Sequence, residues 1–526
     1  MFVSLFQLTV ACVTAASLYL SYWNITASIA RRNAISKHRC KAPLAYPHKD
    51  PFFGLDAVRD AITAAKSKTS IARQIGQHLR YGSTFSSKFF MTPVISTSEP
   101  ENIKAVLSTN FGDYGIGSRR KRAFAPLLGK SIFQVDGPQW KHSRDLLQLC
   151  LTRSQVVDLP MFDLHVTKLI EAISRHGSAT IDLGIWFPRL IADFSTDCFF
   201  GKGMGSIETP SSLSTEFVQA MHDAQAGCED RWKLGHFSSL FPHREFYRKV
   251  KRVHDFINQH VERAMGLHDC SEGRPEVGRS EGEDRRVFLY ELSKLTNDRH
   301  FLRDEILTIF SAAFDPVAAL LTNLFFILAK RPDVWELLRG EVRPLDGKNP
   351  DMSQLRSLKY HQFCLKECEG PSHDFMARID WKLTIGLALR LHPILPSNSR
   401  VAYKDTILPR GGGPDQKSPV FVAEGTMVAF GIAAMHRRKD LWGEDADDFR
   451  PERWRNDKSS WKFIPFNGGP RVCLGQDFAM NLTIYTLVRL VQAFQSVESR
   501  DGNEWVEEIH LACTSQNGAK VVMKAG

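Results

Sequence analysis

The chain carries no charged residue before Arg31 and no acidic residue before Asp50. Its ten cysteines include no CxxC pair and no dense cluster. That excludes a disulfide-stapled secreted scaffold and points to a reducing compartment in which most thiols are buried small hydrophobes. No internal repeat is present, and no basic run is interleaved with aromatics. The net charge of +10 and pI of about 9.0 therefore do not indicate a nucleic-acid binder. Anionic lipid surfaces and acidic protein partners account for that charge instead. With 43% hydrophobic, 10% aromatic and 24% charged residues, the composition is that of a globular protein rather than a disordered one.

The uncharged N-terminus is apolar from Phe2 to Trp23 and ends in Tyr22 and Trp23, side chains suited to a membrane interface. As a helix it would span about 33 Å, enough for a bilayer core. Arg31, Arg32, Lys37, Arg39 and Lys41 follow, so the positive-inside rule places this flank and everything after it in the cytosol. A cleaved signal peptide would have a shorter apolar core preceded by positive charge. The expected organisation is a transmembrane anchor and flank over 1–30, a basic linker stiffened by Pro43, Pro47 and Pro51 over 31–51, and a catalytic body over 52–526. The sequon Asn24-Ile25-Thr26 lies at the anchor's end and is read as a chance match.

In the body, apolar residues recur with helical spacing, as in Ser143–Leu151, Met161–Ile173, Glu305–Ala329 and Ala479–Phe494. Short β-rich pieces are expected near Phe90–Ile95, Val401–Leu408 and Val420–Val428, and a polar loop over His268–Arg286. The fold class is mainly α with small β-sheets.

The strongest local signal is Phe466-Asn467-Gly468-Gly469-Pro470-Arg471-Val472-Cys473-Leu474-Gly475, which fits F-x-x-G-x-R-x-C-x-G. Five fixed positions recur by chance in on the order of one chain in ten thousand of this length. A thiolate at Cys473 suits iron. Gly468, Gly469 and Gly475 let backbone approach a flat macrocycle, Arg471 suits a propionate, and a helix starting near Leu474 favours the anionic sulfur.

With this motif the chain resembles the cytochromes P450 along its whole body. Trp140 and Arg144 look like the family's W-x-x-x-R pair, Pro451-Glu452-Arg453-Trp454 like its P-E-R-F, and Arg400 stands where a further propionate-binding residue is expected. The stretches 38–56, 124–144, 408–419 and 435–454 narrow the resemblance to the fungal n-alkane and fatty-acid hydroxylases. The resemblance implies heme b held by Cys473, with Phe466 in the same loop. It also implies O2 and electrons from NADPH through NADPH-cytochrome P450 reductase, and a lipophilic substrate hydroxylated at or near a chain end. It places the protein in the endoplasmic reticulum membrane, single-pass, with a cytosolic catalytic domain. Phe111–Phe133, Ala312–Pro316 and Leu395–Ser399 are the expected pocket segments. The basic run Ser118–Arg122 is either a carboxylate holder at the pocket mouth or a solvated loop.

Two departures stand out. Where the family carries A-G-x-D-T-T, this chain has Ala312-Ala313-Phe314-Asp315-Pro316-Val317. Proline lacks the usual hydroxyl and has no N–H for the Ala312 carbonyl. Either that carbonyl holds a water that relays protons with Asp315, or Pro316 is a simple kink with slower oxygen activation. The second departure breaks the family's E-x-x-R charge cluster, expected from Glu367, Arg390 and Arg453: twenty residues, 368–387, separate Glu367 from Arg390. Codon degeneracy at Cys368-Glu369-Gly370, Leu383-Thr384 and Leu387-Ala388 permits a splice donor, branch point and acceptor. Excision would keep frame and read Glu367-Ser-Leu389-Arg390. A retained intron is therefore expected, the rival being a genuine surface insertion. The rival functions are another lipophilic substrate in fungal secondary metabolism and a haem-binding protein impaired in catalysis.

Overall fold

A computed structural model describes residues 2–154, 158–209, 212–235, 238, 243–269, 287–357, 388–450 and 461–525. The chain divides into two compact units, Met1–Arg59, Gly76–Gly115 and Ser399–Phe430 forming one, and Asp60–Ile75, Ile116–Asn398 and Gly431–Gly526 the other.

The smaller unit begins with helix α1, Phe2–Lys37. Its apolar side chains face outward, Tyr22 and Trp23 keeping 67% and 62% of their surface, so no protein core accounts for their hydrophobicity. By length and composition Gln7–Lys37 can cross a membrane. Arg31 near its end pairs with Asp405 at 2.9 Å. The unit's main sheet runs β1 (Leu44–Ala45), β2 (Thr84–Phe89), β3 (Thr92–Thr97), β9 (Met427–Gly431), β6 (Ser397–Ala402), β4 (Tyr114–Gly115), in that spatial order. A separate antiparallel pair joins β7 (Thr406–Gly412) to β8 (Ser418–Val422).

Two of the three expected β-rich pieces, Val401–Leu408 and Val420–Val428, are divided by a turn, and the third begins on one. Phe90 and Met91, read as the start of a strand, are the two residues linking β2 to β3, with φ of 49° and 64°. Positive φ at both positions is what a two-residue hairpin with right-handed twist demands, and it overrides the β-propensity of phenylalanine.

The larger unit is mostly helical. The four helices expected from periodicity lie within Gly137–Ser154 (α3), Leu159–Ser174, Arg299–Leu328 (α7) and Gln476–Ala493 (α8). Also relevant are α2 (Ser118–Leu128), α4 (Leu183–Phe200), α5 (Ser212–Leu234) and α6 (Arg244–Asp269). The last runs into the first part of the expected loop at 268–286, whose remainder from 270 lies outside the described residues.

Helix α7 is the axis of this unit. Asp298 caps it, accepting from the amides of His300 and Phe301. Leu302, Ile306, Leu307, Phe310, Leu321, Leu324, Phe325 and Leu328 are fully buried, each worth about 1.5–3 kcal/mol of transfer free energy. A helix apolar on all sides is either a span or the middle of a core. This one has the composition of a span but is a core helix, with 83% of its apolar window buried.

Candidate functional site

Within the central part of α7 one stripe stays accessible. From 304 to 326 every residue is buried except Ile309, Ala312, Ala313, Asp315 and Pro316. Positions 309, 312, 313 and 316 fall on one helical face, so α7 borders an open space there. The three residues read as oxygen-site candidates, Ala312, Asp315 and Pro316, lie on or beside that face. Pro316 sits inside a continuous helix; it leaves the Ala312 carbonyl without its helical donor but does not end the helix.

Asp315 has a partner that sequence reasoning missed. His222 Nε2 on α5 lies 3.0 Å from Asp315 Oδ1, while Asp315 Oδ2 is buried without a hydrogen-bond partner among the described residues. Burial alone would lower the His222 imidazole. The hydrogen bond and charge of Asp315, with Asp223 beside it, outweigh burial and hold it above its ordinary value. Nothing local could have signalled this pair, whose members are 93 positions apart.

The second element of the site is the loop before α8. The Cys473 N–H donates to the Phe466 carbonyl at 3.0 Å, closing the loop on itself. Asn467 and Gly469 take left-handed φ of 62° and 67° to make that turn. Gly475 is the N-cap of α8, and a Cβ there would meet nothing within 4 Å, so open space adjoins it. A Cβ at Gly468 would fall 2.6 Å from the Trp461 ring, so its glycine is explained by packing on that indole.

The Cys473 side chain is solvent-accessible, and yet burial is the largest influence on its thiol. Burial pushes the thiol up from its ordinary value, against the Gly475 N–H and the charge of Arg144, which pull it down. The amide at the helix terminus thus favours the anionic sulfur, and a coordinated metal ion deprotonates a thiol outright.

Trp140 and Arg144 on α3 come to this loop. Arg144 donates to the Val472 carbonyl at 3.1 Å, and its guanidinium carbon lies 5.8 Å from the Trp140 ring centre. Arg471 approaches the same ring at 4.7 Å and donates to the Val135 carbonyl at 2.8 Å and to Asp136 at 2.7 Å. Asp136 also pairs with Lys121 at 2.8 Å and lies close enough to Arg120 to support its charge. Thus three cations, Arg120, Lys121 and Arg471, gather at Asp136; Arg144, beside Val472 and Trp140, has Asp145 as its nearby acid, and Asp145 also pairs with Lys141. An accessible thiol beneath open space, bordered by an excess of positive charge, fits a flat metal macrocycle bearing two propionates.

The surroundings of the other expected residues are as follows. Arg400, on β6 in the smaller unit, is buried and donates to the Ser399 carbonyl at 2.8 Å. The run Ser118–Arg122 is the start of helix α2, not a loop. Arg119 donates at 2.7 Å to the Trp232 and Lys233 carbonyls, capping the end of α5, and Lys121 is committed to Asp136. Arg390 is fully buried and donates to the carbonyls of His436, Ala446 and Asp448. Glu367, Arg453 and the segment 368–387 lie outside the described residues.

Comparison with known proteins gives one family. The sequence model described as "Cytochrome P450" matches residues 69–368 and 384–520. Among curated proteins, the chain is 36% identical over 523 residues to "Cytochrome P450 monooxygenase himC" of Aspergillus japonicus, covering 99% of this chain and 90% of that one. It is 36% identical over 542 residues to "Cytochrome P450 monooxygenase fsdH" of Fusarium heterosporum, with coverage of 99% and 90%. It is 36% identical over 487 residues to "Cytochrome P450 52A12" of Debaryomyces hansenii, with 90% of each chain covered.

Proposed function

The chain belongs to the cytochrome P450 family, and from that premise we propose that it hydroxylates a fatty acid or n-alkane at or near the terminal carbon. It is a monooxygenase, an enzyme of the EC 1.14 class. The observation that carries the site assignment is the accessible Cys473 thiol on the loop where Arg144 and Arg471 meet the Trp140 ring.

In this reading Cys473 supplies the sulfur ligand of heme b, and Arg144, Arg471 and Trp140 hold its propionate edge. The haem, when bound, supplies the chemistry that activates dioxygen. The chain does the rest. The accessible face of α7 at Ile309, Ala312 and Ala313 gives the substrate an apolar wall, and the buried body of α7 keeps bulk water out. Asp315 is the acid that passes protons toward the oxygen site. Electrons come from NADPH through a membrane-bound reductase, and α1 anchors the protein in the endoplasmic reticulum with its catalytic body in the cytosol. The similarity to the 52A proteins of Debaryomyces and Candida supports the choice of fatty acid or alkane. A second reading, another lipophilic substrate of secondary metabolism, is favoured by the His222–Asp315 pair beside the open face, since a plain alkane makes no use of a polar group.

A carbon-monoxide difference spectrum tests the haem assignment, with a band near 450 nm expected. Product analysis with NADPH, a reductase and a panel of alkanes and fatty acids tests the substrate. Chain-end alcohols are expected; oxidation of none of the panel would overturn the substrate proposal and leave the second reading.

A further inference from the structure

The family pattern leads one to look for a hydroxyl after Asp315, and Pro316 offers none. The structure instead supplies an imidazole from a different helix. His222 on α5 reaches Asp315 Oδ1 at 3.0 Å, and its ring stacks with two others. Phe314 of α7 stacks with it at 5.8 Å between centres and 22° between planes, and His510 at 6.3 Å and 10°. The orientation is thereby restricted, while 37% of the His222 side chain remains accessible. Asp315 is only 12% accessible. The dyad thus has a wet end and a dry end.

We propose that His222 is the positioning residue that reloads Asp315 with protons, the pair doing together what the missing hydroxyl would have done. The proposal rests on the monooxygenase reading above. In the loaded dyad one proton lies between Nε2 and Oδ1. When Asp315 gives it up, a neutral imidazole faces a carboxylate, lone pair to lone pair, and the contact weakens. The accessible imidazole takes a proton from water at Nε2, and the Nε2–H to Oδ1 hydrogen bond re-forms. Each cycle moves one proton from water to Asp315 and changes no other bond.

The groups facing His222 set the sign of its pH dependence. Asp315 comes from α7, and Asp223 from α5 itself, where Lys249 of α6 holds it at 2.7 Å. His510, beyond strand β11 (Glu507–Ile509), has Glu508 at 3.4 Å. The two aspartates hold the imidazole above its ordinary value. A raised value means the dyad is loaded below it and empties as pH rises through it.

Oxygen reduced by two electrons and two protons gives hydrogen peroxide; four of each give two waters. A proton shortage therefore appears as peroxide. The full-length, haem-loaded protein with reductase and NADPH, and no added substrate, is assayed for peroxide released per NADPH from pH 5.5 to 8.5. In the wild type the yield is expected to rise as pH rises through the His222 value. His222→Gln keeps an N–H toward Asp315 and loses titration; its yield is expected to be roughly threefold higher at neutral pH, and flat. His222→Phe loses both. A His222→Gln profile that follows the wild type overturns the proposal.

The second readout does not depend on turnover. In ¹⁵N-histidine-labelled protein, assigned by the missing signal in His222→Gln, His222 titrates above an ordinary histidine at about 6.5. In Asp315→Asn it is expected to drop below. No drop also overturns the pairing. The carbon-monoxide band separates the two failures: its absence from the wild type sinks the monooxygenase reading and the dyad with it, whereas its presence with unaltered peroxide yield sinks the dyad alone.

Discussion

Arg471 donates from Nη2 to Asp136 Oδ1 at 2.7 Å, and the same guanidinium lies 4.7 Å from the centre of the Trp140 ring. The cation is thus fixed by a carboxylate, a carbonyl and an aromatic face before any propionate reaches it. Arg471→Leu should release haem. A charge-assisted hydrogen bond is worth about 1.5–3 kcal/mol, which corresponds to a haem affinity lower by about 10- to 100-fold. Arg471→Lys should lie between, because an ammonium cannot serve separate acceptors with a planar fork. The measurement is the Soret-to-protein absorbance ratio after gel filtration. An unchanged ratio in Arg471→Leu would mean that the cation is a fastener of the 116–136 segment and nothing more.

His436 makes a prediction about acid stability. It is fully buried, and its Nε2 accepts a hydrogen bond from the Ile464 amide at 3.2 Å, which only an imidazole unprotonated at that nitrogen can do. Burial, with Arg390 adding repulsion, pushes it down to about 3. Its folded value is depressed, so its contribution is fully present above the unfolded value of about 6.5 and is lost as pH falls from there toward 3. The loss over that window is several kcal/mol at most. Chemical denaturation at pH 7.5 and pH 5 should show His436→Gln less stable than the wild type at the higher pH and losing less between the two. Parallel losses would show that other groups govern acid unfolding.

What could be read in the sequence was what lies close together along it. Arg471, Cys473 and Gly475 fall within five residues, and Trp140 and Arg144 meet because helical geometry brings i and i+4 together. The helices were legible from their apolar period, α7 most of all. Pairings across the fold were not. Asp136 gathers Lys121 and Arg471 from opposite ends of the chain, and His222 reaches Asp315 between two helices. The Phe90-Met91 turn was hidden because it uses none of the residues that favour positive φ. The packing of Gly468 on Trp461 was not legible, because Trp461 lies seven residues earlier and signals nothing by itself.

Pro316 and His222 should be coupled. If the dyad replaces a hydroxyl, restoring one matters most when the dyad is broken. Pro316→Thr returns both a hydroxyl and an amide donor for the Ala312 carbonyl. Alone it is expected to lower peroxide per NADPH only slightly. In the His222→Gln background it should recover most of the lost yield of water, a double-mutant coupling of about 0.5–3 kcal/mol between neighbouring groups. Purely additive effects would mean that proline and imidazole act on separate steps.

The outward-facing side chains of α1 argue that its apolar part serves a bilayer and not the fold. Arg31, tied to Asp405, marks where the helix rejoins the protein. Removing residues 2–25 should transfer the protein from the membrane pellet to the supernatant with its haem content unchanged. Loss of haem or precipitation of the shortened chain would show that α1 also covers a surface of the smaller unit.

The last prediction concerns the message rather than the polypeptide. Arg390 is fully buried, and the family match stops at 368 and resumes at 384, inside the stretch 368–387 that divides Glu367 from Arg390. Breaking a buried charge pair costs about 3–5 kcal/mol. A chain built around a family charge cluster would not be expected to carry that penalty. Transcript sequencing through codons 366–391 should show a message lacking 60 bases, about twenty codons, with a serine codon at the junction. The protein from that message, Glu367-Ser-Leu389-Arg390, should retain more haem and melt several degrees higher than the longer form. A mature message that keeps those bases would make the segment a true insertion.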